Sequence, residues 1–276
     1  MSRIRKFARH IYGQVFISAL RGLHSRVQPL DAVALRARSG AVTLHVVAPG
    51  ASVLRESAAA ALVEDDVLGV NYFALCQTSP LWRRARMYVI EPHATYADYA
   101  RAVSLVTEIN GTVDVIVKGA LSLSKVGSAS HLVRALAKVE GVRVNLANDM
   151  YLSDFDHSSF ARAIAEYPDR TFCGSKSLLW TISFGVAAGY RNIVLHGFDF
   201  SQDYAYAAED DEQARPRPNT WVADDETTRY VVDQVAELAA TLPGRGVRLF
   251  QSRCDGPLST MLPAYEAPAL SQEPPL

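Results

Sequence analysis

The run Gly189-Tyr-Arg-Asn-Ile-Val-Leu-His-Gly-Phe-Asp-Phe200 gathers the features from which a site could be built. Its apolar strand, Ile193–Leu195, breaks at Gly197, and Asp199 follows at once. In open α/β sheets ligands bind just beyond the carboxyl ends of strands, so Asp199 is expected at the rim of a site. The polar stretch 201–225 is long enough to cover that site, and it carries Tyr204, Tyr206 and the acidic run Glu209-Asp-Asp-Glu212. It closes on Asp224-Asp225. Acids there either cap the next helix or, for Asp225, act as a general base toward a hydroxyl. A carboxyl group with its ordinary pKa near roughly 4 is a weak base unless burial raises it. His93 and His196 follow strands that run toward the same sheet edge; each reads as an alternative base or as a structural histidine. The acidic run lacks an Asp-x-Asp at a strand end, so it reads as a solvated lid face. No metal and no other cofactor is expected.

Other polar residues also stand just after apolar strands. Ala48-Pro49-Gly50-Ala51-Ser52 is a glycine turn that can turn N–H groups toward an anion; one glycine alone is a weak signal, and a plain tight βα turn accounts for it better. Asn71 ends the strand Val67–Val70, as a ligand residue or as a turn asparagine. Glu91-Pro92-His93 ends Met87–Ile90, and a carboxylate there repels a phosphodiester unless a cation or a hydroxyl faces it. Arg170 and Ser175-Lys-Ser177 precede a long helix whose first turn offers N–H donors and the Lys176 charge to an anion. Ser175 also reads as a simple N-cap.

The elements that must position these residues alternate. Strands are expected at Val42–Val47, Val67–Val70, Met87–Ile90, Val113–Val117, Val142–Leu146, Asn192–Leu195 and Val247–Phe250. Helices are expected at Thr95–Ile109, Ser128–Val139, from an Asp154 cap to Glu166, Ser175–Ala188 and Glu226–Leu242. Such alternation implies a mainly parallel sheet covered on both faces, a Rossmann-like doubly wound α/β fold. The domain is expected over 40–262 with its lid at 201–225, and the proline-rich tail 263–276 is expected to be disordered.

Residues 3–26 differ in kind. Ile4, Phe7, Ile11, Val15, Phe16 and Leu23 fall on one stripe of a helix, and Arg3, Arg5, Lys6, Arg9 and Arg21 on the other. A basic amphipathic helix over 1–30 suits an anionic membrane surface, or docking on its own domain or on a second subunit, and these readings stay open. The net charge of −1 and the 49% apolar content fit a globular protein and give no sign of nucleic-acid binding. The three scattered cysteines point to a reducing cytoplasm. No apolar run approaches the ~20 residues of a membrane span, and no signal peptide is expected.

With Ala188-Gly189-Tyr190, the apolar strand and Gly197-Phe-Asp-Phe200 in place, the chain resembles the bacterial sialyltransferases of glycosyltransferase family 42 over residues 42–262, most strongly over 170–262. The closing segment Leu249-Phe-Gln-Ser-Arg-Cys-Asp-Gly-Pro-Leu-Ser259 is similar as well. The resemblance implies a single Rossmann-type domain (a GT-A-like variant) and metal-independent transfer of a nonulosonic acid, sialic acid first, from a CMP-activated donor to a saccharide hydroxyl. It implies donor contacts at Gly50, Ser52, Asn71, Glu91, Ser175, Ser177 and Asp199, with Tyr204 or Tyr206 holding the leaving phosphate and Arg170 facing the acceptor. It departs from the family at Pro49 and Glu91, which stand where the family has asparagines, at Ser201 for a tyrosine, and at Asp225 for the basic histidine. The N-terminal helix would then hold the enzyme near a glycolipid acceptor, in polysaccharide or lipooligosaccharide biosynthesis. A non-catalytic nucleotide-sugar or glycan binder, or a transferase with another donor, are the alternatives.

Overall fold

A computed structural model of the chain describes residues 25–56, 64–92, 96–118, 126–151, 159–173, 176–200, 225–252 and 257–266, together with Val15, Ser18, Ala19 and Gly22. Eight strands form one sheet: β1 (Val27–Pro29), β2 (Thr43–Val47), β3 (Asp66–Val70), β4 (Met87–Ile90), β5 (Val113–Val117), β6 (Val142–Leu146), β9 (Asn192–His196) and β10 (Arg248–Gln251). Their order is β1-β6-β5-β4-β3-β2-β9-β10, and every pairing is parallel. A two-stranded sheet of β7 (Met150–Tyr151) and β8 (Phe172–Cys173) stands apart. The helices are α1 (Ala32–Ser39), α2 (Tyr96–Asn110), α3 (Val126–Leu136), α4 (Phe160–Glu166), α5 (Ser177–Ala188) and α6 (Asp225–Thr241). The fold is the expected Rossmann-like α/β architecture.

The central strands are apolar almost without break because both faces are covered. β2, β4 and β5 are buried at every position, as a parallel sheet between helices requires. Val47, Tyr88, Ile90, Val115 and Val144 meet α2 and α3 on one face. Leu44, Val46, Leu68, Ile116 and Ile193 meet α1, α4, α5 and α6 on the other. Helix α5 is buried on nearly all sides, so its sequence shows no amphipathic stripe.

Several boundaries differ from the sequence reading. The sheet begins before residue 40: β1 adds an edge strand beside β6, where Gln28 Nε2 donates to Asn145 Oδ1 at 2.8 Å. Helix α4 is capped by Ser159, whose Oγ accepts from Arg162 N at 3.1 Å, so its N-cap is not Asp154. Helix α5 is preceded by Lys176 as its N-cap, in place of Ser175. The first residues of the tail are ordered: Tyr265 N donates to Gln251 O at 2.9 Å and its ring packs edge-on against His45. Two backbone hydrogen bonds with Gln251 and the contacts of the half-buried Tyr265 ring with His45 and Phe250 hold this segment. Most of the stripe 3–26 lies outside the described residues. Among those described, no helix is long and apolar enough to cross a membrane.

The hydroxyls of Tyr88 and Tyr99 are buried and find no partner among the described residues. A buried hydroxyl without a partner carries a desolvation cost and no compensating bond. Tyr99→Phe is therefore expected to leave stability unchanged or to raise it by up to about 1 kcal/mol, read from the urea midpoint. A loss above that would reveal a partner for the hydroxyl.

Candidate active site

From β2 the chain steps through β3, β4 and β5 to β6, then returns at β9 on the other side of β2. The strand order therefore reverses between β2 and β9, and the crevice beyond their carboxyl ends is the expected ligand position of a doubly wound sheet. The loops that leave these two strands stay joined. Ala48 N donates to His196 O at 2.9 Å, and Gly50 N donates to Gly197 O at 3.1 Å. Gly50 has no room for a side chain, since a Cβ there would stand 2.6 Å from Asp199 Oδ2. Gly197 adopts φ 68°, in the left-handed region that favours glycine.

Asp199 closes this junction. Its Oδ2 accepts from Ser52 N at 2.8 Å and its Oδ1 from Ser52 Oγ at 2.5 Å. Ser52 is buried. The two side chains expected to touch a ligand are thus turned toward each other, and their bond sets the shape of the turn Ala51–Arg55. Phe200, the last described residue after β9, has φ 53°, a costly conformation for a bulky residue that marks a constrained position.

A second group lies along the same edge. Asn71, Glu91 and Lys118 directly follow β3, β4 and β5, and Ser177 opens α5. Asn71 Nδ2 donates to Ser177 Oγ at 3.3 Å, Lys118 Nζ donates to the same oxygen at 3.0 Å, and Lys118 Nζ stands 3.3 Å from Glu91 Oε2. The side chains of Lys118 and Glu91 are 5% and 24% exposed. Asn71 holds φ 51°, which asparagine tolerates better than most residues. Three residues expected at the site from sequence, Asn71, Glu91 and Ser177, are therefore in one cluster. The cation that the Glu91 carboxylate needs is Lys118, which the sequence reading missed. The signal was present: Lys118 follows an apolar strand as directly as Asn71 and Glu91 do.

His196 is placed differently from a free base. It is 1% exposed; its Nε2 lies 2.9 Å from His45 Nδ1, and its Nδ1 lies 3.3 Å from Glu56 Oε1, in ion-pair reach without an aligned hydrogen bond. His45 Nε2 in turn lies 3.2 Å from Asp65 Oδ2. The sequence reading gave His45 no particular context, yet it forms the middle of a buried chain of carboxylate, two imidazoles and carboxylate. Burial is the main reason that the His45 pKa falls from 6.5 to about 4, and the neighbouring His196 lowers it further against the opposing pull of Asp65. Burial pushes the Glu56 carboxyl up, but the close approach and charge of His196, with smaller contributions from Ser252 and His45, more than offset this and hold it below its ordinary value.

Arg170 is exposed and pairs with its own neighbour, Asp169, at 3.4 Å; among the described residues it makes no hydrogen bond or ion pair with the Ser177 cluster. Asp225 opens α6 as its first residue, inside the helix and not before it, and its side chain is outside the described residues. His93, Ser175, Tyr204 and Tyr206 also lie outside them. A cleft of about 800 Å³ opens at the opposite, amino edge of the sheet, lined by Arg26, Thr107, Glu140 and Arg143. It holds none of the expected site residues and lies away from the edge at which such sheets bind ligands.

No protein-family model and no curated protein sequence matches the chain. Solved structures do. The sialyltransferase CstII from Campylobacter jejuni in complex with the substrate analogue CMP-3FNeuAc superposes with a TM-score of 0.55 at 15% identity, over 80% of this chain and 85% of that one. This chain shares their fold. The monofunctional alpha-2,3-sialyltransferase Cst-I from Campylobacter jejuni gives a TM-score of 0.56 at 14% identity, over 82% of this chain and 80% of that one. The sialyltransferase CST-II in complex with a trisaccharide acceptor and CMP gives 0.52 at 13%, over 80% and 85%. At these identities the likeness to the Campylobacter sialyltransferases establishes architecture, and the chemistry has to be argued from the residues.

Proposed function

We infer that this protein is a metal-independent glycosyltransferase of sialyltransferase type, moving a nonulosonic acid from a CMP-activated donor to a saccharide hydroxyl. The observation that carries the reading is the meeting of Asn71, Glu91, Lys118 and Ser177 at the carboxyl edge of a sheet folded like enzymes whose solved complexes hold CMP. Gly50 and the turn braced by Ser52 and Asp199 form the floor for the nucleotide. The N–H groups at the start of α5 and the Lys118 ammonium supply positive charge toward an anionic donor, an electrostatic contribution of the kind that stabilises a departing phosphate. Asp225, which opens α6, is the base that takes the proton of the acceptor hydroxyl, with His93 as the alternative. His196 is withdrawn into the His45 pair and keeps a structural role. The basic N-terminal helix holds the enzyme at a membrane that carries its acceptor.

The test is release of CMP from a CMP-nonulosonate in the presence of a saccharide acceptor and EDTA. Turnover with EDTA is expected, and Asp225→Ala is expected to lower it by roughly a hundredfold or more while CMP binding survives. Full activity in Asp225→Ala, with loss in His93→Ala, would move the base to His93. A second reading, a binder without turnover, is favoured by the burial of His196 among protein partners. It predicts CMP binding with no release toward any acceptor.

A further inference from the structure

The buried chain Asp65–His45–His196–Glu56 has three contacts at imidazole nitrogens. Asp65 Oδ2 lies 3.2 Å from His45 Nε2, His45 Nδ1 lies 2.9 Å from His196 Nε2, and His196 Nδ1 lies 3.3 Å from Glu56 Oε1. Each contact attracts only with a proton in it, because a bare imidazole nitrogen turns a lone pair toward the atom opposite. Two neutral imidazoles bring one N–H each. If His45 donates to Asp65 and His196 to His45, the bare Nδ1 of His196 faces the Glu56 carboxylate. With the opposite tautomers the bare nitrogen faces Asp65, and in either case a third proton turns the repulsion into attraction. Glu56 is held ionised, so that proton belongs to the rings. Of the other groups around them, the Arg84 charge faces His45, Tyr265 packs edge-on against it with Glu64 beyond, and Ser252 lies beside Glu56.

We propose that the two rings hold three N–H protons between them, one more than two neutral imidazoles carry, and that the extra proton latches the two loops of the crevice together. The latch follows from where the ends of the chain sit. His196 directly precedes Gly197 and Asp199, and Glu56 directly follows the turn Ala51–Arg55, whose Ser52 is held by Asp199. The bond from Gly50 N to Gly197 O joins the same two segments. With the proton in place, the His196–Glu56 contact is a charged tie between the loops. Without it, a lone pair and a carboxylate repel at the same point, in a low-dielectric interior that strengthens the repulsion. The proton exchanges with solvent, and no covalent bond forms or breaks. The charge belongs to the pair and not to one ring; the low pKa of His45 then marks the refusal of a second charge. The latch is therefore closed at lower pH and opens as pH rises. Its effect on a ligand rests on the nucleotide-sugar reading of the crevice, whereas the proton count does not.

Nitrogen NMR of the full chain, labelled at histidine, counts the protons directly. At about pH 7 the two rings are expected to carry three N–H protons in the wild type. In Glu56→Gln they are expected to carry two, because the glutamine amide itself donates to His196 Nδ1. Two protons in the wild type overturn the proposal. The latch is read from hydrogen exchange at the Gly50 amide, corrected for its intrinsic pH dependence. Protection is expected to fall about tenfold or more over the pH range in which the third proton is lost, and Glu56→Gln is expected to keep it. Unchanged protection in the wild type as that proton leaves overturns the latch. Calorimetry with CMP over the same range should show wild-type affinity falling about threefold or more, with Glu56→Gln binding more tightly than the wild type at the alkaline end. If the wild type binds no CMP at any pH, the nucleotide-sugar reading falls on its own, and Gly50 exchange still decides the latch. Should Glu56→Gln fail to fold, the wild-type proton count and exchange profile decide alone.

Discussion

Asp199→Ala is expected to weaken CMP binding by roughly tenfold to a hundredfold and to lower stability by about 2–4 kcal/mol. The carboxylate holds Ser52 by its backbone N–H at 2.8 Å and by its hydroxyl at 2.5 Å. Hydrogen bonds to a charged group contribute about 1.5–3 kcal/mol each, and the buried N–H of Ser52 is left without a partner when they go. The turn 51–55 then loses this side-chain tie to the segment on the other side of the crevice. Asp199→Asn keeps one acceptor and should fall between the wild type and the alanine variant. Ser52→Ala removes the hydroxyl alone and should do less than either. Calorimetry with CMP and urea unfolding of the three variants measure both effects. Equal CMP affinity in Asp199→Ala and the wild type would mean that the turn is not part of the nucleotide floor.

The second large effect is acid lability. His45 is held near pKa 4 in the folded protein against 6.5 when unfolded. The unfolded chain therefore takes up a proton that the folded one refuses as pH falls from about 6.5 to 4. Stability is full above that window and is lost within it, by about 3 kcal/mol for a shift of this size. Glu56, lowered in the folded state, adds to the loss below the ordinary carboxylate range. Asp66 works the other way: burial raises its pKa against the hydrogen bonds from Ser39 and Tyr190, so its protonation is favoured in the folded state. Tyr265 and Arg84 complete the surroundings of His45; Tyr265 stacks edge-on, and the Arg84 charge opposes protonation. Urea midpoints measured from pH 7 to 4 are expected to fall steeply, and His45→Gln should flatten the slope. A flat profile in the wild type would show that His45 is readily protonated in place.

The central strands were legible because burial on both faces leaves a continuous apolar run, and such runs mark β2 to β6 in the sequence as they do in the sheet. The polar residues that end them were legible for the same reason, since a charge or an amide after five apolar residues has only the sheet edge to occupy. That logic found Asn71 and Glu91 and applies equally to Lys118, whose partners Glu91 and Ser177 are far away in sequence. β1 carries no such signature: Val-Gln-Pro is a three-residue edge strand defined by its partner β6 over a hundred residues later. The pairing of His45 with His196 was hidden for a related reason. Each histidine sits in an ordinary strand pattern, and only the register of β2 beside β9 brings the rings together. Asp199 follows β9 as its place in the sequence implies, but its bond to Ser52 depends on two loops meeting at the reversal of strand order, which no local pattern encodes.

These parts give one electrostatic scheme along a single edge. In the proposed site the braced turn at Gly50 and Ser52 would supply backbone, Asn71 and Ser177 neutral donors, and Lys118, paired with Glu91, the positive charge. The most direct measurement of the central claim is calorimetric titration of the purified protein with CMP, with UDP and GDP as comparisons and EDTA throughout. The account predicts selective binding of CMP that EDTA leaves unchanged. Failure to bind CMP, or preference for UDP or GDP, would contradict it and leave only the fold in common with the Campylobacter enzymes.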